Sequence, residues 1–261
     1  MSDYDRNASA RWGTSVGQAG VQQIDQGLRA YMLGVYNYMT LGLGVTGLVA
    51  FGAHLLAVAS SRADAVAMFH GVPLTSFGVT LYTSPLKWVV MLAPLAFIFI
   101  FSFRVDRMSA ASARNMFLGF AAVMGLSLST VLLYFTGASV TRAFFITAAA
   151  FGGLSLYGYT TRRDLSAFGS FLVMGLIGLV IASLVNVFVQ SSAFQFGLSI
   201  LTVLIFAGLT AWDTQAIKEM YYASDDHETA TKKSINGALM LYLDFVNIFQ
   251  AILSLTGSRN E

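Results

Sequence analysis

Asp213 and Asp244 are the two residues of this sequence whose type and setting best suit chemistry. Each interrupts an apolar stretch, Asp213 in FAGLTAWDTQAIKEMYY and Asp244 in LYLDFVNIF. A bare charge in hydrocarbon costs at least a few kcal/mol, so such a group takes a proton, finds a cation or faces a polar interior. Two carboxylates that meet in a low-dielectric site cannot both stay ionised. They hold a proton between them and titrate as one unit, with values that belong to the pair. A pair of this kind can store a proton, bind a hard cation through its oxygens, or be gated by a cationic neighbour. The plain alternative for either residue is a structural side chain bonded to a neighbouring helix.

The elements that carry them are membrane spans. The 261 residues are 56% hydrophobic and 11% charged, with a mean hydropathy of +0.67, against about 25% charged in a soluble domain. There are no cysteines, which removes disulfides, thiolate metal sites and cysteine nucleophiles. A net charge of +2 spread along the chain does not suggest nucleic acid. The polar, mixed-charge start lacks the basic and short apolar regions of a signal peptide, so the first span is expected to act as the insertion signal.

Seven apolar segments follow, at 31–58, 86–103, 115–135, 143–161, 166–189, 195–217 and 236–256. Each approaches the roughly 20 residues that cross a bilayer as helix. Residues 1–30 form a polar tail, 31–257 the membrane domain and 258–261 a short end. Val21, Ile24, Leu28 and Tyr31 keep helical spacing, as either an interfacial amphipathic helix or an extension of the first span. Pro73 and Pro85 argue against one continuous helix between spans one and two, and Pro94 predicts a kink in span two.

Lysine and arginine set the orientation. With the N-terminus inside, the cytoplasmic side collects Arg6, Arg11, Arg29, Arg104, Arg107, Arg114, Arg162, Arg163, Lys218, Lys232 and Lys233. The outside receives Arg62, Lys87, Arg142 and Arg259, which is 11 against 4 of the 15 basic residues. The C-terminus then lies outside. Spans six and seven place Asp213 and Asp244 at matching depths, roughly 8 to 12 Å inside the cytoplasmic face. Arg104, at the same face on span two, is the candidate cationic partner; as a span-end arginine it is otherwise a topology determinant.

In span seven, Asn236, Asp244, Asn247, Gln250 and Ser254 share an arc of about 120° at 100° per residue. A polar stripe of this kind is expected to face other helices or water inside the bundle. Asn247, Gln250 and Asn186 are therefore candidate pore or packing residues. Asn186, Asn37 and Gln195 are expected to make interhelical hydrogen bonds, and Gly152, Gly153, Gly175 and Gly178 to allow close helix packing. The histidines, His54, His70 and His227, are scattered and stand at no metal-ligand spacing. A pH-sensing role for His227 is the weaker alternative to the aspartates.

The AWDTQ and LYLDF stretches together resemble the transmembrane Bax inhibitor motif family. So does YGYTTRRDLSAFGSFLVMGLIGLVIASLVNVF at 157–188. The APLAFIFIFSFRVDRMS stretch and YFTGASVTRAFFITAAAFGGLSLYGYTT at 134–161 look like its bacterial branch. The resemblance runs from about residue 30 onward. It implies an all-α membrane protein with six helices wrapped around a central seventh, in a bacterial inner membrane. It also implies a proton-sensitive calcium leak in which Asp213 and Asp244 form the pH-sensing pair and are the candidate calcium ligands. Arg104, or Arg107 nearby, matches the family's gating arginine. One departure is that VVMLAPLAFIF in span two lacks the glutamate of a relative.

Two other functions compete. The resemblance also suggests an interaction protein that modulates an ATP-dependent membrane protease, and the polar 1–30 tail would suit it. An intramembrane aspartyl protease is the third, but neither aspartate sits in a Gly-x-Gly-Asp context. The expectation is therefore no enzyme and no cofactor, with calcium ions and protons as the transported or regulatory species. Removing residues 1–20 should spare a leak and disable a modulator, whereas changing either aspartate should do the reverse.

Overall fold

The last apolar segment becomes helix α9 (His227–Thr256), and the other helices are arranged on it. Sixty-one per cent of its apolar window is buried, against 17% to 39% for the other single-helix spans. The computed structural model describes the backbone of residues 3–69, 71–104 and 107–260. Side chains are described from residue 26 onward, apart from residue 102. His70, Val21 and Ile24 fall outside those side chains.

The chain begins with α1 (Asp3–Ala57), unbroken from the N-terminal tail through the first span. A 3-10 turn (Arg62–Asp64) and an antiparallel hairpin of β1 (Ala67–Phe69) and β2 (Val72–Leu74) follow. The hairpin turns on Gly71, whose φ of 80° favours glycine. Then come α2 (Ser76–Tyr82), α3 (Leu86–Arg104), α4 (Ala110–Leu128) and α5 (Val131–Tyr134). The last four are α6 (Gly137–Thr160), α7 (Ser166–Val189), α8 (Ser192–Glu219) and α9. Among the described residues, six helical segments are long and apolar enough to cross a membrane, and α2 with α3 makes a seventh if the bent pair is one span. This is an all-α membrane fold.

Two boundaries differ from the sequence expectation. The bend of 59° lies at the break between α2 and α3, around Pro85, and α3 continues through Pro94. α9 starts nine residues before 236, because Asp226 caps it by accepting from the N–H groups of Glu228 and Thr229. The extra turns already bury Ser234 and Ile235, so the polar run 227–233 is carried as helix.

α9 packs on α1, α4, α6 and α8, while α3 lies mainly on α4 and α7 mainly on α8. Tyr242 anchors the centre. It is fully buried, its ring meets Phe117 and Phe120 edge-on, and its hydroxyl lies 2.6 Å from Thr46 Oγ1. The Thr46 hydroxyl donates to the Ala121 carbonyl, so it accepts from Tyr242, and α1, α4 and α9 are joined at one point.

The glycines that permit close packing are not the expected four. A Cβ at Gly152, Gly153 or Gly178 would meet open space, and one at Gly175 would make only ordinary contact with Ile205. Among the tight positions are Gly125 against Thr46, Gly158 against Ala211 and Gly169 against the Trp212 ring. Gly152, Gly153 and Gly178 are exposed and Gly175 is half-buried. Gly158 and Gly169 meet α8 at the two residues just before Asp213.

Candidate functional site

Asp213 is carried on α8 six residues before its end, and Asp244 near the middle of α9. These two helices form the most extensive pairing in the bundle, which brings both carboxyls into the interface. Asp213 is 8% exposed and Asp244 is 3%. Their carboxyls lie close enough to interact directly. No N–H or hydroxyl donor reaches Asp244 Oδ2. A carboxylate has no proton to give, so a hydrogen bond between the two forms only when the pair holds a proton.

A column of hydroxyls adjoins the carboxyls. Thr210 stands one turn before Asp213 and meets Asp244. Its oxygen is also 2.8 Å from the Phe206 carbonyl. Its single hydroxyl proton therefore faces two acceptors, the Phe206 carbonyl and the Asp244 carboxyl. Thr214 donates to the Thr210 carbonyl at 2.7 Å, so toward Ser155, 2.9 Å away, it can only accept. Ser155 then gives its proton to Thr214 and accepts from Tyr36, 2.7 Å away. The direction of every bond from Tyr36 on α1 through Ser155 on α6 to α8 is thus fixed.

Gln215 fastens the α6–α7 loop beside the pair. Its Oε1 accepts from Leu165 N at 2.8 Å and its Nε2 donates to the Arg163 carbonyl at 2.9 Å. Lys218 adds a bond to the Tyr159 carbonyl at 3.0 Å. On the α9 side, Lys233 pairs with Asp225 at 2.6 Å and donates to the Met220 carbonyl. That is the one ion pair among the described residues.

The other sequence candidates lie apart from the pair. Arg104 is exposed at the end of α3, a helix packed mainly on α4, and forms no ion pair with Asp213 in this conformation. Arg107 is likewise exposed. Asn247 donates to the Leu243 carbonyl of its own helix, and Gln250 is exposed. The polar stripe of α9 therefore does not face one interior. Asp244 occupies the edge of the arc that meets α8, and Gln250, at the other edge, faces outward.

Asn186 is a structural residue. It donates to Gln195 Oε1 at 2.8 Å and accepts from Ser191 N, closing the turn between α7 and α8, where Gln190 takes a left-handed conformation. Both bonds predicted for Asn186 and Gln195 are thus one bond. Asn37 is exposed and makes no hydrogen bond among the described residues, against expectation. His227 is exposed at the first turn of α9.

No third acidic or histidine side chain joins the two aspartates to make a metal cluster among the described residues. Calcium takes six to eight oxygen ligands, so the pair alone fits brief contact with a passing cation better than a resident ion.

The sequence reading did not pick out Thr210, Thr214, Ser155, Tyr36 or Gln215. Thr210 and Thr214 carried a readable signal, because they stand one turn apart around Asp213 and share its helix face. Ser155 and Tyr36 belong to other helices and carried none.

The family model described as inhibitor of apoptosis-promoting Bax1 matches residues 28–261. A Rickettsia prowazekii protein is 43% identical over 237 residues, covering 91% of this chain and 93% of its own length. A Caulobacter vibrioides protein is 44% identical over 239 residues, 91% and 92% of the two chains. The inner membrane protein YbhL of Escherichia coli K12 is 39% identical over 236 residues, 89% and 93% of the two chains. Matches of that extent, over a chain with several membrane-length apolar helices, make it a multi-pass membrane protein that belongs to the Bax inhibitor family.

Proposed function

We propose that the protein is a proton-sensitive calcium leak gated by Asp213 and Asp244. The single observation that carries this reading is the pair of neighbouring carboxyls buried between α8 and α9. In the proposed arrangement seven spans cross the membrane, the bent α2–α3 pair counting as one. The N-terminus is cytoplasmic, the C-terminus is outside, and six spans surround α9. The conformation described here corresponds to the state in which the pair keeps its proton. Loss of that proton puts two like charges in contact, which favours separation of α8 from α9 or recruitment of a cation. Calcium and the Arg104 guanidinium are the cations proposed, Arg104 reaching the pair only in another conformation.

The test is calcium flux into liposomes holding the purified protein, from about pH 5 to about pH 8, a range that covers a proton-sharing carboxyl pair. Wild type is expected to show pH-dependent flux, and Asp213→Asn and Asp244→Asn to show flux that no longer follows pH. Absence of protein-dependent flux at every pH would discard the leak.

A second reading is favoured by the length of α1, whose 55 residues exceed what a span needs. Under it, the helical N-terminal extension docks another membrane protein, such as an ATP-dependent membrane protease. Deleting residues 1–20 separates the two: co-purification with the partner is then lost while flux persists.

A further inference from the structure

α1 and α6 both lie beside α9 but pack little on each other. The seam between them opens into two chambers. One, of about 660 Å³, lies beside Tyr36 and Ser155, near the carboxyl pair. The other, of about 680 Å³, lies toward the hairpin. Phe245, which meets the rings of both Phe144 and Phe151 edge-on at 5.6 Å, stands where they approach.

We propose that the hairpin-end chamber is a binding site for one acyl chain of a bilayer lipid, tail inward. Its walls are largely apolar, with Leu43, Gly47, Leu128, Phe144, Phe245 and Val246 among them. The one deep polar group, the Thr46 hydroxyl, is already bonded to Ala121 and Tyr242. The remaining polar lining, His54, Thr141 and Asn260, comes from the end of α1, the start of α6 and the C-terminal tail, all at the hairpin end. The lining is therefore amphiphilic in one direction.

The dimensions agree. Leu43 to His54 spans about 16 Å of helix at 1.5 Å per residue, and one leaflet of a hydrocarbon core about 30 Å thick has similar depth. A volume in this range is ordinary for a ligand site, and an apolar chamber does not hold water. The rim is lipid-facing: Leu48 is 75% and Phe145 66% exposed. A neighbouring lipid can lay one chain into the seam without crossing a polar barrier.

The experiment uses the full-length protein in bilayer discs containing a phospholipid with a photoreactive group at the end of one acyl chain. Adducts are mapped by peptide mass spectrometry. They are expected to concentrate on residues 43–50 and 245–249. Gly47→Phe fills the chamber from a position where a Cβ meets open space, and should lower those adducts several-fold. Gly52→Phe, on the same helix but outside the lining, should leave them unchanged. Gly137→Phe, a lining position with equally open space, repeats the first arm if Gly47→Phe does not fold. Adducts spread evenly over the exposed helices, or unchanged when the chamber is filled, would overturn the proposal. The outcome is independent of whether calcium is conducted.

Discussion

Gly158 on α6 lies directly against the backbone carbonyl of Ala211 on α8, so closely that a Cβ at Gly158 would collide with it. Ala211 is two residues before Asp213, so the spacing of α6 and α8 is set beside the carboxyl pair. Gly158→Ala should force these helices apart, at a cost of about 1–3 kcal/mol typical of overpacking. Gly152→Ala on the same helix meets open space and should be neutral or stabilising by about 1 kcal/mol through helix propensity. Thermal unfolding of both variants in one detergent compares them. Equal melting temperatures would remove Gly158 as a spacer.

The fixed direction of the hydroxyl column ranks its members. Tyr36→Phe removes only the terminal donor and should cost about 1 kcal/mol. Thr214→Val keeps the shape but leaves Ser155 without its acceptor and Thr210 without the hydroxyl on its carbonyl, and should cost more, about 1–3 kcal/mol. The order matters more than the size. A larger loss for Tyr36→Phe in thermal unfolding would mean the protons run the other way.

Gln215 serves two backbone groups of the α6–α7 loop with one amide. Gln215→Ala leaves Leu165 N and the Arg163 carbonyl unpartnered near the end of α8, and should destabilise by about 1–3 kcal/mol. Its mark should be local. Hydrogen exchange is expected to quicken at residues 161–166 before it changes in the middle of α9.

Asp226 gives the start of α9 an acid limit. The Thr229 hydroxyl, aided by the N–H groups of Thr229 and Glu228, holds its carboxyl below the usual carboxylate range. A lowered value means that the ionised cap stabilises the helix above the unfolded aspartate range. That stabilisation is lost as pH falls through the lowered value. Exchange protection at residues 228–233, corrected for intrinsic rates, should therefore decline below about pH 4. Asp226→Ser, a cap that does not titrate, should keep its protection level across the same range.

The spans and the aspartate pair were legible because each leaves a mark along the chain. A membrane span is a long apolar run, and an acid within one is conspicuous whatever surrounds it. The start of α9 was misplaced because residues 227–235 are polar enough to read as loop, and only the Asp226 cap marks them as helix. The packing glycines were misassigned for a different reason. Gly152 and Gly158 look alike in sequence, and which of them meets α8 depends on the rotation of α6. Arg104 was placed beside the pair by membrane level and by the family resemblance. Level says nothing about which side of the bundle α3 occupies, and in this conformation α3 packs mainly on α4. The hydroxyl column needed three helices to be assembled before its bonds existed.

The most buried helix is also the last of the described helices in chain order. Until residue 256 has left the ribosome and entered the bilayer, α1, α4, α6 and α8 have no α9 to close on, and their inner faces stay in contact with lipid. Assembly must then finish by late insertion of a helix into a waiting slot rather than by adding one hairpin at a time. Chains stopped before residue 227 would hold every other span and still lack a core. Such fragments should be recognised and degraded in the cell, and a reporter fused at their ends would describe the membrane path of an unassembled protein.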